Sequence, residues 1–272
     1  MIVVTKQYRI SSMSGQDRRG NAVREREILR YAGCRTEEEE IVRLMRTCLQ
    51  EAEDADALNG QLCYAELPFA ADVVDGRLRS YMGSEFAKSQ DTAVQEALRA
   101  GKRTVCDFGC FSVHSDQLAK NLQGCSKVLL LAATAGVGID RLIGKYGRLA
   151  PSKALLFQAI GAELVESVCD AFSEEYEKEH NCILRPRFSP GYGDLSLESQ
   201  KDIFAVLEPA RKIGLTLNDS LLMSPSKSVT AFAGITDCIE KRGVQDLAEC
   251  ENNKIQNKCG SCEKKDCAYR SE

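Results

Sequence analysis

The chain has 272 residues, 43% hydrophobic and 28% charged, with a formal net charge of −4. That length holds one large domain with appendages and a substantial core. The faintly acidic balance excludes general nucleic-acid or membrane-surface binding, and no apolar run approaches the ~18 residues that a membrane span requires. The start, Met1-Ile2-Val3-Val4-Thr5, lacks a signal-peptide core, so a cytoplasmic protein is expected. The 13 cysteines are an odd number in a long chain, which argues against a disulfide framework. Cys48, Cys125 and Cys169 sit among apolar neighbours and read as small core residues.

Residues 1–30 carry Arg18, Arg19, Arg24, Arg26 and Arg30, with few apolar positions after Ile10. They read as a basic, partly disordered extension. Thr36 with Glu39 forms a capping box at the start of a helix, with acidic residues at the positive end of its dipole. Ile41, Leu44, Met45, Cys48 and Leu49 supply its buried stripe. Residues 62–82 read as strands, with Asp75-Gly76 a two-residue hairpin turn. Ser115 caps a short helix through Leu122. His114 and His180 are the two histidines and read as surface residues, so histidine catalysis has few candidates.

Lys127–Thr134 is a continuous apolar run, hence a buried strand. Gly136 and Gly138 follow and imitate a dinucleotide-binding turn. The third glycine position holds Arg141, and no second strand ends in a carboxylate further on, so the dinucleotide reading is set aside. A long helix is predicted from about Ser152 to Lys178. Phe157, Ile160, Leu164, Val168 and Phe172 form its main stripe. Ala159, Ala162, Glu166 and Cys169 form a second packed side, and Glu163, Asp170 and Glu174 an acidic face. Glu166, bordered by small residues, is a carboxylate that needs a partner if buried.

The stretch Arg187-Phe188-Ser189-Pro190-Gly191-Tyr192 is the most informative in the chain. Pro190 fixes φ and Gly191 permits a positive one, as the centre of a type II turn demands. Arg187 can grip a carboxylate through two parallel hydrogen bonds, and Tyr192 can offer a ring face or a hydroxyl. The grouping suits a small zwitterion. A helix capped by Ser196 follows, with Ile203, Phe204, Leu207 and Ile213 inward and Gly214 ending it. Leu215–Leu217 and Ser228–Ile235 read as strands, with Pro225 between them. Beyond residue 240 apolar periodicity fades and Cys250, Cys259, Cys262 and Cys267 appear. Four thiolates within 18 residues, one pair spaced as in a metal knuckle, can close on one zinc ion or an iron–sulfur cluster.

Arg187, Ser189-Pro190-Gly191-Tyr192 and Met223-Ser224-Pro225-Ser226-Lys227-Ser228-Val229 resemble the activation (reactivation) domain of vitamin-B12-dependent methionine synthase. In that family an Arg-Pro-x-Pro-Gly-Tyr turn binds S-adenosylmethionine, and a Met-x-Pro-x-x-Ser-Val segment follows a helix later. Both motifs occur here in that order. The resemblance covers roughly Lys127 to Ile235. It implies an α/β fold, a twisted antiparallel sheet with packed helices, over residues 31–240, between an extension at 1–30 and a Cys-rich tail at 241–272. It further implies that Arg187 takes the carboxylate of S-adenosylmethionine, Glu166 its amine, and Tyr192 a packing or hydroxyl contact. The backbone of Ser189 and Gly191 completes the site.

The chain departs from the family at Phe188 and Ser189, where smaller residues are commoner, and lacks the tyrosine that the family carries beyond the second motif. It also lacks the family's homocysteine, folate and B12 modules. The expected function is therefore an accessory one: reactivating a cobalamin-dependent methyltransferase, with cobalamin supplied by that partner and an electron by a separate donor. On this reading the chain is an activator, not an enzyme active alone. Two alternatives are a non-catalytic scaffold for a B12 protein and an iron–sulfur electron-delivery protein.

Overall fold

In the computed structural model, residues 1–11, 23–34, 38–73 and 104–237 are described. The frame is a five-stranded antiparallel sheet in the order β1-β2-β6-β10-β7. Its strands are β1 (Val4–Arg9), β2 (Asn59–Pro68), β6 (Lys127–Thr134), β7 (Cys182–Leu184) and β10 (Ser228–Asp237). Strand β6 lies at the centre, paired with β2 and β10 along its whole length. A strand covered on both faces needs apolar residues at every position, and from Val128 onward β6 is buried throughout. Alternation then divides its side chains between two cores. Leu129, Leu131 and Ala133 face one, while Val128, Leu130 and Ala132 face the other.

The first core is roofed by helices α1 (Glu25–Tyr31), α2 (Glu39–Asp54), α4 (Val137–Tyr146) and α5 (Pro151–His180). The second is closed by a small sheet of β3 (Ala70–Val73), β4 (Thr104–Asp107) and β5 (Ser112–His114), with α3 (Asp116–Asn121), α6 (Ser199–Leu207) and α7 (Pro209–Ile213). A short hairpin, β8 (Thr216–Leu217) and β9 (Met223–Ser224), precedes β10. The mixed α/β architecture of a twisted antiparallel sheet and packed helices is the one expected. Among the described residues no helix is long and apolar enough to cross a membrane.

Helix α5 positions the candidate site. Pro151 at its first turn lacks an N–H that would find no partner there, and Asn181 ends it in the left-handed conformation. Phe157, Ile160, Leu164, Val168 and Phe172 are fully buried against the sheet. Each such side chain stabilises by about 1.5–3 kcal/mol relative to exposure.

Several local expectations change. Within residues 1–30, read as an extension, Val4–Arg9 pair with β2 as an edge strand and Glu25–Tyr31 pack on α5. The weak alternation of Val4, Lys6 and Tyr8, half-buried on one side, is enough for an edge. Helix α2 begins at Glu39 after an N-cap Glu38 that makes no side-chain cap bond; Thr36 lies outside the described residues, as do Asp75-Gly76 and Arg18 and Arg19. The single helix expected from Ser196 to Gly214 is two, because Pro209 has no N–H to continue it and Glu208 turns left-handed before it. Ser196 instead accepts from the N–H of Glu198 at 3.2 Å. His114 is half-buried, with Nδ1 lacking a partner among the described residues.

Three helices are pinned at one point. Glu51 of α2 accepts from Lys145 at 2.8 Å and Tyr146 at 2.7 Å of α4, and from Lys153 of α5 at 3.3 Å. The Lys145 hydrogen bond, with help from Tyr146 and Lys153, lowers the Glu51 pKa from 4.5 to about 2 against the opposing effect of burial. A carboxylate depressed in the folded state contributes stability above its ordinary pKa and loses it as pH falls through the folded one. The stability difference between wild type and Glu51→Gln should therefore be full at neutral pH and shrink from pH 4.5 toward about 2. Thermal melting across that range measures it, and a constant difference would refute it.

Candidate functional site

Past β7 the chain stays on the edge of β10. The N–H of Arg185 donates to Gly234 O, and Phe188 and Phe232 exchange both backbone bonds, each at 2.8 Å. Three steps on one strand thus face two on the other, a one-residue bulge. Pro186 lies inside it, where the missing N–H is not needed. The bulge leaves Phe188 packed on the second core and carries Arg187 across to α5.

There Arg187 meets two carboxylates one helical turn apart. Its Nη2 donates to Glu166 Oε2 at 2.7 Å and to Asp170 Oδ1 at 2.8 Å. The other oxygen of Asp170 lies 3.2 Å from Nη1 of Arg24, just before α1. Arg24 is held in turn by Glu163, which is wholly buried: Nε donates to Oε1 at 2.6 Å, Nη2 to Oε2 at 3.3 Å, and the backbone N–H to Oε1 at 3.2 Å. Ser167 adds a hydroxyl at 3.1 Å. Burial pushes the Glu163 carboxyl up, and the hydrogen bonds and charge of Arg24 offset only part of that. Two guanidiniums and three carboxylates form one connected cluster on α5.

Directly after it comes the predicted turn. Tyr192 N–H donates to Ser189 O at 3.1 Å, and Gly191 sits at φ +88°, where a type II turn needs a glycine. Gly191 N–H donates to Leu195 O and Leu195 N–H to Tyr192 O, both at 3.0 Å. Asp194 bolts this loop to α3. Its carboxylate accepts from the Ser115 hydroxyl, from Asp116 N–H at 2.7 Å and from Gln117 N–H at 3.3 Å. Ser115 in turn caps α3 by accepting from Leu118 N–H at 2.9 Å, as the sequence predicted. Burial raises the Asp194 pKa, but the three hydrogen bonds outweigh it and the net shift is downward. Asp194→Ala should cost about 0.5–2 kcal/mol of stability, the usual worth of a lost helix cap. The loss should be largest at neutral pH and fade as pH falls below the ordinary aspartate range, since a depressed carboxylate contributes only while ionised. Urea unfolding at two pH values checks both statements.

Of the residues chosen from sequence, the structure brings Glu166 and Arg187 together and sets Ser189 and Gly191 in the adjoining turn. It gives Tyr192 67% exposure, so its ring does not line a closed pocket. Glu163 and Asp170, expected on a separate acidic face, belong to the cluster. At ~100° per residue Asp170 lies about 40° from Glu166, a spacing that was available as a signal. Arg24 and Asp194 had none, because each acts on an element far away in sequence. Of the glycines in the dinucleotide-like turn, Gly136 takes a positive φ of 72° before α4 and Gly138 serves packing: a Cβ on Gly138 would stand 2.9 Å from the Cβ of Ala57. The α2–β2 connection occupies that approach. Cys250, Cys259, Cys262 and Cys267 lie outside the described residues. Among the described residues no group of three or more His, Cys, Asp or Glu is placed to hold a metal ion.

No family model matches the chain, and no curated protein matches it. Among solved structures it is similar to the crystal structure of the MetH reactivation domain bound to AdoHcy. The TM-score is 0.51 at 15% sequence identity, covering 93% of this chain and 86% of that one. The likeness establishes the fold, that of a MetH reactivation domain.

Proposed function

We propose that the chain reactivates a cobalamin-dependent methyltransferase by presenting S-adenosylmethionine to a partner's cobalamin. The observation that carries this is the opposed pair of Arg187 and Glu166, 2.7 Å apart beside a type II turn. The structural neighbour's being bound to AdoHcy, the demethylated form of that donor, supports it. A zwitterionic amino-acid end fits such a pair: its carboxylate goes to Arg187 and its ammonium to Glu166. Tyr192 N–H closes the turn on Ser189 C=O and Gly191 N–H is taken by Leu195 C=O, so the backbone groups assigned to the ligand are Ser189 N–H and Gly191 C=O. Tyr192, at the rim, covers a nucleoside once one is present.

A partner's cobalamin, reduced by a separate electron donor, would supply the nucleophile. On transfer the S–CH3 bond of the sulfonium would break with its electron pair left on sulfur, the methyl being taken up by the electron pair of the partner's reduced cobalamin, so that the product held by this chain would be S-adenosylhomocysteine. No side-chain acid or base is required; this chain's residues hold and orient the donor. The chain alone should make no methionine from homocysteine. Added with S-adenosylmethionine and a reductant to an oxidised B12 methyltransferase of the same cell, it should restore activity. No rescue of any corrinoid protein from that cell would sink the proposal. A scaffold that binds the partner without S-adenosylmethionine is the second reading, favoured by an ion-pair cluster already connected without a ligand. Calorimetry with S-adenosylhomocysteine separates the two.

A further inference from the structure

We infer that Asp170 is a positioning residue that competes with the ligand for Arg187 and shifts onto Arg24 when a ligand carboxylate arrives. The inference rests on the ligand reading of the site above. A guanidinium offers a carboxylate two planar forks, one from Nη1–H with Nη2–H and one from Nε–H with Nη2–H. Both use Nη2. Arg24 and Arg46 grip Glu163 and Glu25 in this chain through the Nε–Nη2 fork. On Arg187, Nη2 already donates to Glu166 and Asp170, which accounts for both of its hydrogens. A ligand carboxylate gains neither fork until one of them leaves.

Glu166 is the partner a ligand ammonium needs, so it stays. Asp170 has somewhere to go. Its second oxygen is already 3.2 Å from Arg24 Nη1, and Glu163 fixes Arg24 from the other side. Giving up Arg187 therefore leaves Asp170 paired, and its 27% exposure leaves it room to turn. The cluster holds three carboxylates to two guanidiniums, so a third anion on Arg187 is also repelled while Asp170 remains. Ligands without a carboxylate do not meet this barrier. Asp170 thus sets the preference between a nucleoside that carries the amino-acid end and one that does not.

The test is calorimetry on the full chain with S-adenosylhomocysteine and with 5′-methylthioadenosine, which shares the nucleoside and lacks the amino acid. Asp170→Asn keeps the shape but makes a weaker, uncharged bond to Arg187. It should tighten S-adenosylhomocysteine by about tenfold, ~1.4 kcal/mol, and leave methylthioadenosine unchanged. Arg24→Lys keeps the countercharge for Glu163 but offers a point charge instead of a fork. It should weaken S-adenosylhomocysteine selectively, which a purely repulsive role for Asp170 does not foresee. Melting curves confirm that both variants are folded. If wild type binds S-adenosylhomocysteine and Asp170→Asn keeps the wild-type ratio of the two affinities, the inference alone is overturned. If wild type binds neither compound at millimolar concentration, the ligand reading falls and takes the inference with it.

Discussion

Arg24→Ala should lower the unfolding free energy by about 3 kcal/mol, a large share of the ~5–15 kcal/mol that holds a domain together. Glu163 is 0% exposed and receives three of its four hydrogen bonds from Arg24. Truncating the side chain leaves the Arg24 backbone N–H and Ser167 as donors to a charge that cannot reach water. Breaking a buried pair by removing one partner costs about 3–5 kcal/mol. Arg24 itself is 47% exposed, so part of the pair is solvated and the low end applies. The companion variant identifies the cause. Adding Glu163→Gln to Arg24→Ala removes the stranded charge and keeps an acceptor for Ser167 and for the backbone N–H. It should recover most of the loss in urea unfolding. A double variant as unstable as the single one would show that packing of the arginine stem, not the buried charge, is what was lost.

Arg187→Ala should weaken S-adenosylhomocysteine by about 10- to 150-fold, from the ~1.5–3 kcal/mol of a charge-assisted bond. Stability should change far less than in Arg24→Ala. Glu166 and Asp170 are 30% and 27% exposed and can turn to water, and Asp170 keeps Arg24. Arg187→Lys should not restore affinity, since an ammonium lacks the planar fork that matches a carboxylate. Calorimetry paired with melting curves reads both effects. Unchanged affinity in a folded Arg187→Ala variant would remove this residue from the ligand site.

What the sequence made legible follows from how local each feature is. Strand β6 is visible because a central strand is apolar on both faces, and α5 because its stripe from Phe157 to Phe172 repeats over about four turns. The type II turn is visible because Pro190 and Gly191 carry the required dihedral preferences themselves. Strand β1 was missed because its inner side is half-polar: Lys6 and Tyr8 settle on Glu175 at 2.7 and 2.5 Å, a partner that sequence cannot supply. The burial of Glu163 was missed for the same reason, since Arg24 lies 139 residues away along the chain. The helix break at Pro209 was local and legible, and the apolar periodicity across it masked the proline. Ligand contacts of Ser189, Gly191 and Tyr192 remain proposals for calorimetry.

The order of strands sets when the site can come into being. Among the described residues, β7 touches β10 and no other strand, although β7 is completed at Leu184 and β10 starts only at Ser228. During synthesis the segment that carries Arg187 and the Pro190-Gly191 turn therefore emerges with no edge to lie on. It waits until β10 has been made and has docked on β6. Such distant pairings are the slow steps of folding. A chain halted before Ser228 could build most of its helical face yet have no β10 edge to hold Arg187 and the turn in place. On the proposed reading, ligand competence would arrive with β10, and binding of a nucleoside would report that β10 is in place.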